Sequence, residues 1–290
     1  MLKPIVTGVD GTQEGAWAGA VAHRLAERIG TQCIIVHAVR EVILPPAGAP
    51  GLSDEAGIRS SVLQAAHREI LEQLRGNVPE ASLGSVEVRM GRPARVIQEL
   101  VAERDAGLVV LGGKHHHVLG RWLGGSTVLH LVRLADVPVL VTTPTAAQIE
   151  RALVAVDLSE AAKETIAAAE RFAALVGAEL RFVHVVEEIP FAPEVPSAPS
   201  SEELFRAAKA ALETDIWPAI GTRDAERVIR RGSVRAVIDR ETAEWNAQLV
   251  VVGSHGKGWI DRMLLGSVTE GLIRHLPASL LVIPMARSRR

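Results

Sequence analysis

Short apolar runs alternate with longer stretches of helical periodicity along the whole chain. Leu249, Val250, Val251 and Val252 form an unbroken β-branched run, the pattern of a parallel strand covered on both faces. Runs of this kind predict strands at 5–10, 33–37, 108–111 and 137–141, and again at 151–157, 180–184, 249–252 and 278–283, and alternation predicts third strands at 85–91 and 226–232. Between them, the periodicity predicts helices at 13–29, 54–75 and 94–104, and at 160–176, 202–217 and 234–245, with one more before each fifth strand. Strands separated by helices of this length imply parallel sheets built from right-handed crossovers.

The second set repeats the first. Asp10 and Asp157 end the first strands, and His37 and His184 end the second, both 147 residues apart. Gly91 and Gly232 are 141 apart, so six residues are lost from the preceding loop and helix of the second copy. The expected fold is α/β, two tandem open five-stranded parallel sheets with helices on both faces. The expected domains are 1–145 and 148–290, joined by the polar, proline-containing stretch 142–150. Proline-rich segments at 44–51 and 189–199 read as loops before a helix.

In sheets of this type, ligands bind beyond the carboxyl ends of the strands, where the strand order reverses. After the fourth strand of the second copy comes Gly253-Ser254-His255-Gly256, then Gly266-Ser267-Val268-Thr269-Glu270. Ser267 and Glu270 have the spacing of a capping box, so a helix start is expected there. Glycines that return the chain to a helix N-terminus bare main-chain N–H groups at the positive end of the helix dipole, which suits a phosphate. Asp10 and Asp157 sit where a carboxylate could accept from a ribose hydroxyl or hold a metal beside a polyphosphate, or simply cap the next helix. His37 and His184 fit packed, hydrogen-bonded side chains better than ligands. The row His115-His116-His117 cannot face one ion together, and reads as a solvated loop. Lys114 and Lys257 could neutralise phosphate or carry no role.

The spacing Gly253-x2-Gly256-x9-Gly266-Ser267 resembles the G-2x-G-9x-G-[S/T] nucleotide signature of the universal stress protein family, and the likeness extends over nearly the whole chain as two copies. The first copy fits the same frame as Gly112-x2-His115-x9-Gly125-Ser126. The resemblance implies strand order 3-2-1-4-5, adenine nucleotide (ATP, or AMP or ADP) beyond strands 1 and 4, and a stress-linked regulatory role. By motif position it puts Asp157 near ribose and a nucleotide-bound Mg, and Val185 near adenine. Gly253, Gly256, Gly266, Ser267 and Val268 fall on ribose and phosphates. The first-copy equivalents are Asp10, Ala38, Gly112, His115, Gly125, Ser126 and Thr127, with Asp10 the corresponding metal candidate. His115 departs from the pattern. A side chain forced into a left-handed backbone costs roughly 1–2 kcal/mol, about ten-fold in affinity, so the second copy is expected to be the stronger site. The resemblance also implies association through the fifth strands, either between the two copies or between two chains, and apolar edges favour such pairing.

Composition narrows the alternatives. The 290 residues are 48% hydrophobic and 23% charged with a formal net charge of −2, so no basic field invites nucleic acid or anionic lipid. The single cysteine, Cys33, lies in an apolar run and reads as a buried small hydrophobe. The first residues lack a signal-peptide core, and no apolar run reaches the about 18 residues of a membrane span, so a cytoplasmic protein is expected. The G-x4-G-K-[S/T] loop, the G-x-G-x-x-G fingerprint and the G-x-S-x-G elbow are all missing. Holding a nucleotide is therefore favoured over transforming one. A slow ATPase in the same crevice and a nucleotide-free dimerising scaffold stay open.

Overall fold

The computed structural model describes residues 3–40, 55–113, 125–144, 148–187, 200–255 and 265–285. The chain divides into two compact units, each built on five strands.

In the first unit the elements run β1 (Ile5–Val9), α1 (Gln13–Ile29), β2 (Cys33–Val39), α2 (Glu55–Leu74), α3 (Glu80–Leu83), β3 (Val86–Met90), α4 (Pro93–Glu103), β4 (Leu108–Gly112), α5 (Gly125–Leu134) and β5 (Val139–Thr142). The strand order is β3-β2-β1-β4-β5. Within it β1 pairs in parallel with both β2 and β4, so the order reverses between β1 and β4. Helix α1 matches its expected bounds because both ends are chemically marked. The Thr12 side chain caps its start, and Gly30, with φ 68°, ends it in the left-handed conformation that glycine adopts without strain.

In the second unit β6 (Arg151–Ala155), α6 (Ala161–Val176), β7 (Glu179–Val186), α7 (Ser201–Ala211), β8 (Glu226–Arg231), α8 (Val234–Glu244), β9 (Leu249–Gly253), α9 (Ser267–His275) and β10 (Ser279–Ile283) follow the same plan. Their order is β8-β7-β6-β9-β10, with β6 paired in parallel to β7 and β9. The β-branched run at β9 is buried along Leu249, Val250, Val251 and Val252, as a strand covered on both faces must be.

Three elements differ from the sequence reading. The helix expected over 202–217 is α7 to Ala211, then one π turn, Leu212–Ile216, then a 3₁₀ turn, Trp217–Ala219. Pro218 lacks an N–H and its ring crowds the preceding turn, so a regular helix cannot pass it. The short α3 after Pro79 was not expected. Ser267 does not cap α9: Gly266 holds the cap position with extended geometry (φ −58°, ψ 140°) and no side-chain bond is made. Glu270 turns instead to Arg274, 2.6 Å away, because an ion pair four residues on along the helix competes with the cap.

Behind β7 and β8, the α8 carboxylate of Glu241 is only 2% exposed and is gripped by Arg181 and Arg230. Arg181 also stacks over Trp245, with 4.6 Å from its guanidinium carbon to the ring centroid. At the corresponding place in α4 the first unit carries Leu100, fully buried.

Candidate functional site

At the carboxyl ends of β6, β7 and β9, the second unit opens a cleft of about 720 Å³, within the size range of small-molecule sites. Asp157, Val185, Gly253, Gly266, Ser267 and Val268, all singled out from the sequence, line it together. Gly256 lies outside the described residues.

Asp157 follows β6, and its Oδ1 accepts from the Ser159 N–H (3.1 Å) and the Ser159 hydroxyl (2.6 Å). Asp10 is bound the same way by Thr12, at 3.2 Å from N–H and 2.5 Å from hydroxyl. Neither aspartate caps a helix. In the first unit Thr12 does so, its Oγ1 accepting from the Gly15 N–H at 3.2 Å. In the second, Glu160 holds the cap position, but its carboxylate pairs with Lys163 (3.0 Å) and caps no helix N–H. A small hydroxyl residue two positions after the strand-end aspartate, Thr12 and Ser159, was therefore a signal the sequence reading did not use.

The two histidines brace these turns. The Nδ1 of His184 lies 2.8 Å from the Val156 carbonyl oxygen, and that of His37 lies 2.8 Å from the Val9 carbonyl oxygen. A carbonyl only accepts, so Nδ1 carries the proton in both.

Ser254 organises the far wall. Its N–H donates to Ile283 (2.8 Å), its carbonyl accepts from Gly266 (3.0 Å), and its hydroxyl accepts from the Met285 N–H (3.2 Å) while meeting His255 Nδ1 at 2.8 Å. The Thr269 hydroxyl donates to the Gly253 carbonyl at 2.8 Å. The end of β9 and the start of α9 are thus tied before any ligand arrives. The first regular helical bond of α9 is Glu270 N–H to Gly266 carbonyl at 2.9 Å. The N–H groups of Ser267, Val268 and Thr269 therefore lie outside the helix's own ladder, and these residues line the cleft. His255 Nε2 is buried with no hydrogen-bond partner among the described residues, on the same wall. Opposite stands an apolar wall of small residues, including Ala161 and Ala162 from α6 and Ala207, Ala208 and Ala211 from α7.

The first unit has the same chain order but a different spacing. A Cβ placed on Gly112 would lie 2.5 Å from both the carbonyl carbon and oxygen of Glu14 and 2.9 Å from the Gly15 nitrogen, so the start of α1 rests on the end of β4. Among the described residues, a Cβ on Gly253 would meet the Thr165 hydroxyl (3.1 Å) and the His255 carbonyl (3.2 Å) within 4 Å, with no backbone atom of α6 among them. Asp10 and Ala38 stand at the ends of β1 and β2, and Gly125, Ser126 and Thr127 open α5. His115, its neighbouring histidines, Lys114 and Lys257 lie outside the described residues. Cys33 is half-buried where a buried side chain was expected, and burial pushes its thiol up to about 12, so little thiolate forms at neutral pH. Among the described residues no group of three or more His, Cys, Asp or Glu is placed to hold a metal ion. No described helix is long and apolar enough to cross a membrane.

Comparison with known proteins agrees with the duplicated architecture. Residues 1–143 and 148–284 each match the universal stress protein family. A universal stress protein of Mycobacterium tuberculosis is 30% identical over 293 residues, covering 94% of this chain and 96% of its own. One from Mycolicibacterium smegmatis is 28% identical over 296 residues, covering 96% of each. Among solved structures, a universal stress protein from Archaeoglobus fulgidus superposes with a TM-score of 0.66 at 18% identity, over 98% of both chains. With both halves matched and its full-length relatives duplicated in the same way, this chain belongs to the universal stress protein family in its tandem form.

Proposed function

We propose that the chain is a stress-response regulatory protein that binds an adenine nucleotide, with the cleft of the second unit as its stronger site. The observation that carries this reading is the meeting of three complementary surfaces in one cleft: a carboxylate, a wall of small apolar side chains, and a helix start with bared amides. The purine lies against the alanines of α6 and α7 and near Val185, where its flat apolar faces are removed from water. Asp157, its carboxylate already oriented by Ser159, accepts from a ribose hydroxyl. The phosphates lie over Gly253 and Gly266 and take the N–H groups of Ser267, Val268 and Thr269. Asp157 is the residue placed to meet a Mg ion carried in with the nucleotide, supplying charge neutralisation there.

The ligand released on denaturing freshly purified protein, identified by mass spectrometry, should be an adenine nucleotide. Calorimetric titration with ATP should show Asp157→Ala weakening binding about ten-fold. Binding unchanged by that substitution would remove Asp157 from the site. Steady-state phosphate release abolished by Asp157→Ala would make the protein a slow ATPase instead of a binding module.

A further inference from the structure

The units differ most at one distance, that between the first helix and the fourth strand, and we propose that this distance decides which half of the chain can accept a nucleotide. The inference rests on the adenine-nucleotide reading above and adds to it a stoichiometry and the residues that set it. In the first unit Gly11 and Gly15 bring the start of α1 down, and Gly19 leaves room for Leu74 and Val78 against its next turn. Gly11 turns the chain with φ 76°, a left-handed conformation open to glycine. Gly15 packs where a Cβ would lie 2.9 Å from Asp10 Oδ1 and 3.0 Å from Asp10 N, and Gly19 where a Cβ would lie 3.4 Å from Leu74 and Val78 and 3.9 Å from Val9. Positions 15 and 19 are one helical turn apart and share a face. The helix start therefore settles on Gly112, in the place that the second unit leaves open as its cleft. It also brings the acidic Glu14 into the first turn.

In the second unit the equivalent positions are Leu158, Ala162 and Ile166. Leu158 is not among the positive-φ residues, so the chain leaves β6 by another path. Ala162 and the fully buried Ile166 hold α6 away from the sheet. Leu158, Ala161 and Ala162 line the cleft this creates. Side-chain bulk at two helix positions and one turn thus acts as a spacer, and the chain carries one nucleotide, in its second half.

The test uses the full chain and equilibrium dialysis against ATP with Mg. The wild-type chain binds one equivalent. Because the closure lies in the helix, His115→Gly alone leaves one equivalent. Adding the spacer residues to that change (Gly11→Leu, Gly15→Ala and Gly19→Ile) raises it to two. In the other direction, Ala162→Gly with Ile166→Ala lets α6 settle and weakens the second-half site about ten-fold or more. Circular dichroism and thermal melts verify folding, and if the graft does not fold the α6 variant decides alone. Two equivalents of similar affinity in the wild-type chain overturn the inference while leaving the nucleotide reading intact. So does a second equivalent created by His115→Gly alone, a folded graft that stays at one equivalent, or an α6 variant that keeps full affinity. No binding by any form overturns the nucleotide reading itself, and the inference falls with it.

Discussion

The two units repeat one plan and spend it differently. The first packs its helix backbone where the second packs a side chain: the backbone of α1 rests on Gly112, whereas α6 meets Gly253 through the Thr165 hydroxyl. The second builds part of its helix packing from charge, with Glu241 between Arg181 and Arg230, whereas the first places Leu100 at that position. The difference teaches that a duplicated α/β layer can keep its strand order while the backbone of its first helix lies closer to the fourth strand in one copy than in the other. What changes is the size of side chains at a few helix positions, not the connectivity.

The largest effect expected from breaking this comparison is at the charged position. Glu241→Ala removes the buried carboxylate that Arg181 and Arg230 share and leaves Arg181, only 16% exposed, to its more exposed partner Glu226; it should cost about 3 kcal/mol in urea unfolding, the low end for breaking a buried pair. Leu100→Ala in the first unit should cost a comparable 2–5 kcal/mol, roughly, by opening a cavity. A Glu241→Ala cost below about 1 kcal/mol would show that the cluster behaves as a surface pair.

The matched glycines come next. Gly112→Ala forces a Cβ against the Glu14 backbone, so it should destabilise by about 3 kcal/mol. Gly253→Ala meets a side-chain hydroxyl and one carbonyl at more than 3 Å, and should cost less than about 1.5 kcal/mol. Equal costs would erase the distinction between a closed and an open copy.

Smaller still is the effect at the turn hydroxyls. Thr12 caps α1 and its change to Ala should cost about 1 kcal/mol. Ser159→Ala should cost less, because Ser159 supports Asp157 without capping α6. The smallest effect concerns Cys33. With its thiol raised to about 12 by burial, the native chain should resist iodoacetamide at pH 8 and react once unfolded. Since the unfolded thiol ionises near about 8.5, the unfolded state binds fewer protons above that pH. The contribution of Cys33 is thus complete at neutral pH and declines as pH rises from there towards 12.

Much of this architecture was legible before any coordinates. Apolar runs located the inner strands to within a few residues, since a strand buried on both faces has to be continuous in hydrophobicity, while β3 and β8, more exposed and charged, were located by alternation. The grouping of Asp157, Gly253 and Gly266 in one cleft followed from strand ends and loop glycines in a repeated frame, while Val185 followed from the family resemblance alone. The cap of α9 did not, because Ser267 and Glu270 have the spacing of a capping box while Gly266 holds the cap position and Glu270 pairs with Arg274. Nor did the closure of the first crevice, because Gly15 and Ala162, or Gly19 and Ile166, are equally admissible at a buried helix position. Whether such a position holds a helix near or far is decided only when the surrounding atoms are in place, as at Gly112.

Ser254 receives or donates bonds at every polar group it has, joining β9, the segment after β10 and the residue before α9. Its carbonyl bond to Gly266 fastens the base of the intervening excursion like a drawstring. The ends of β9 and α9 are therefore held together by their own bonds, so the entropy of bringing them together is met by the scaffold itself. Descendants of this protein could exchange the segment to suit a different anionic guest while inheriting the same scaffold.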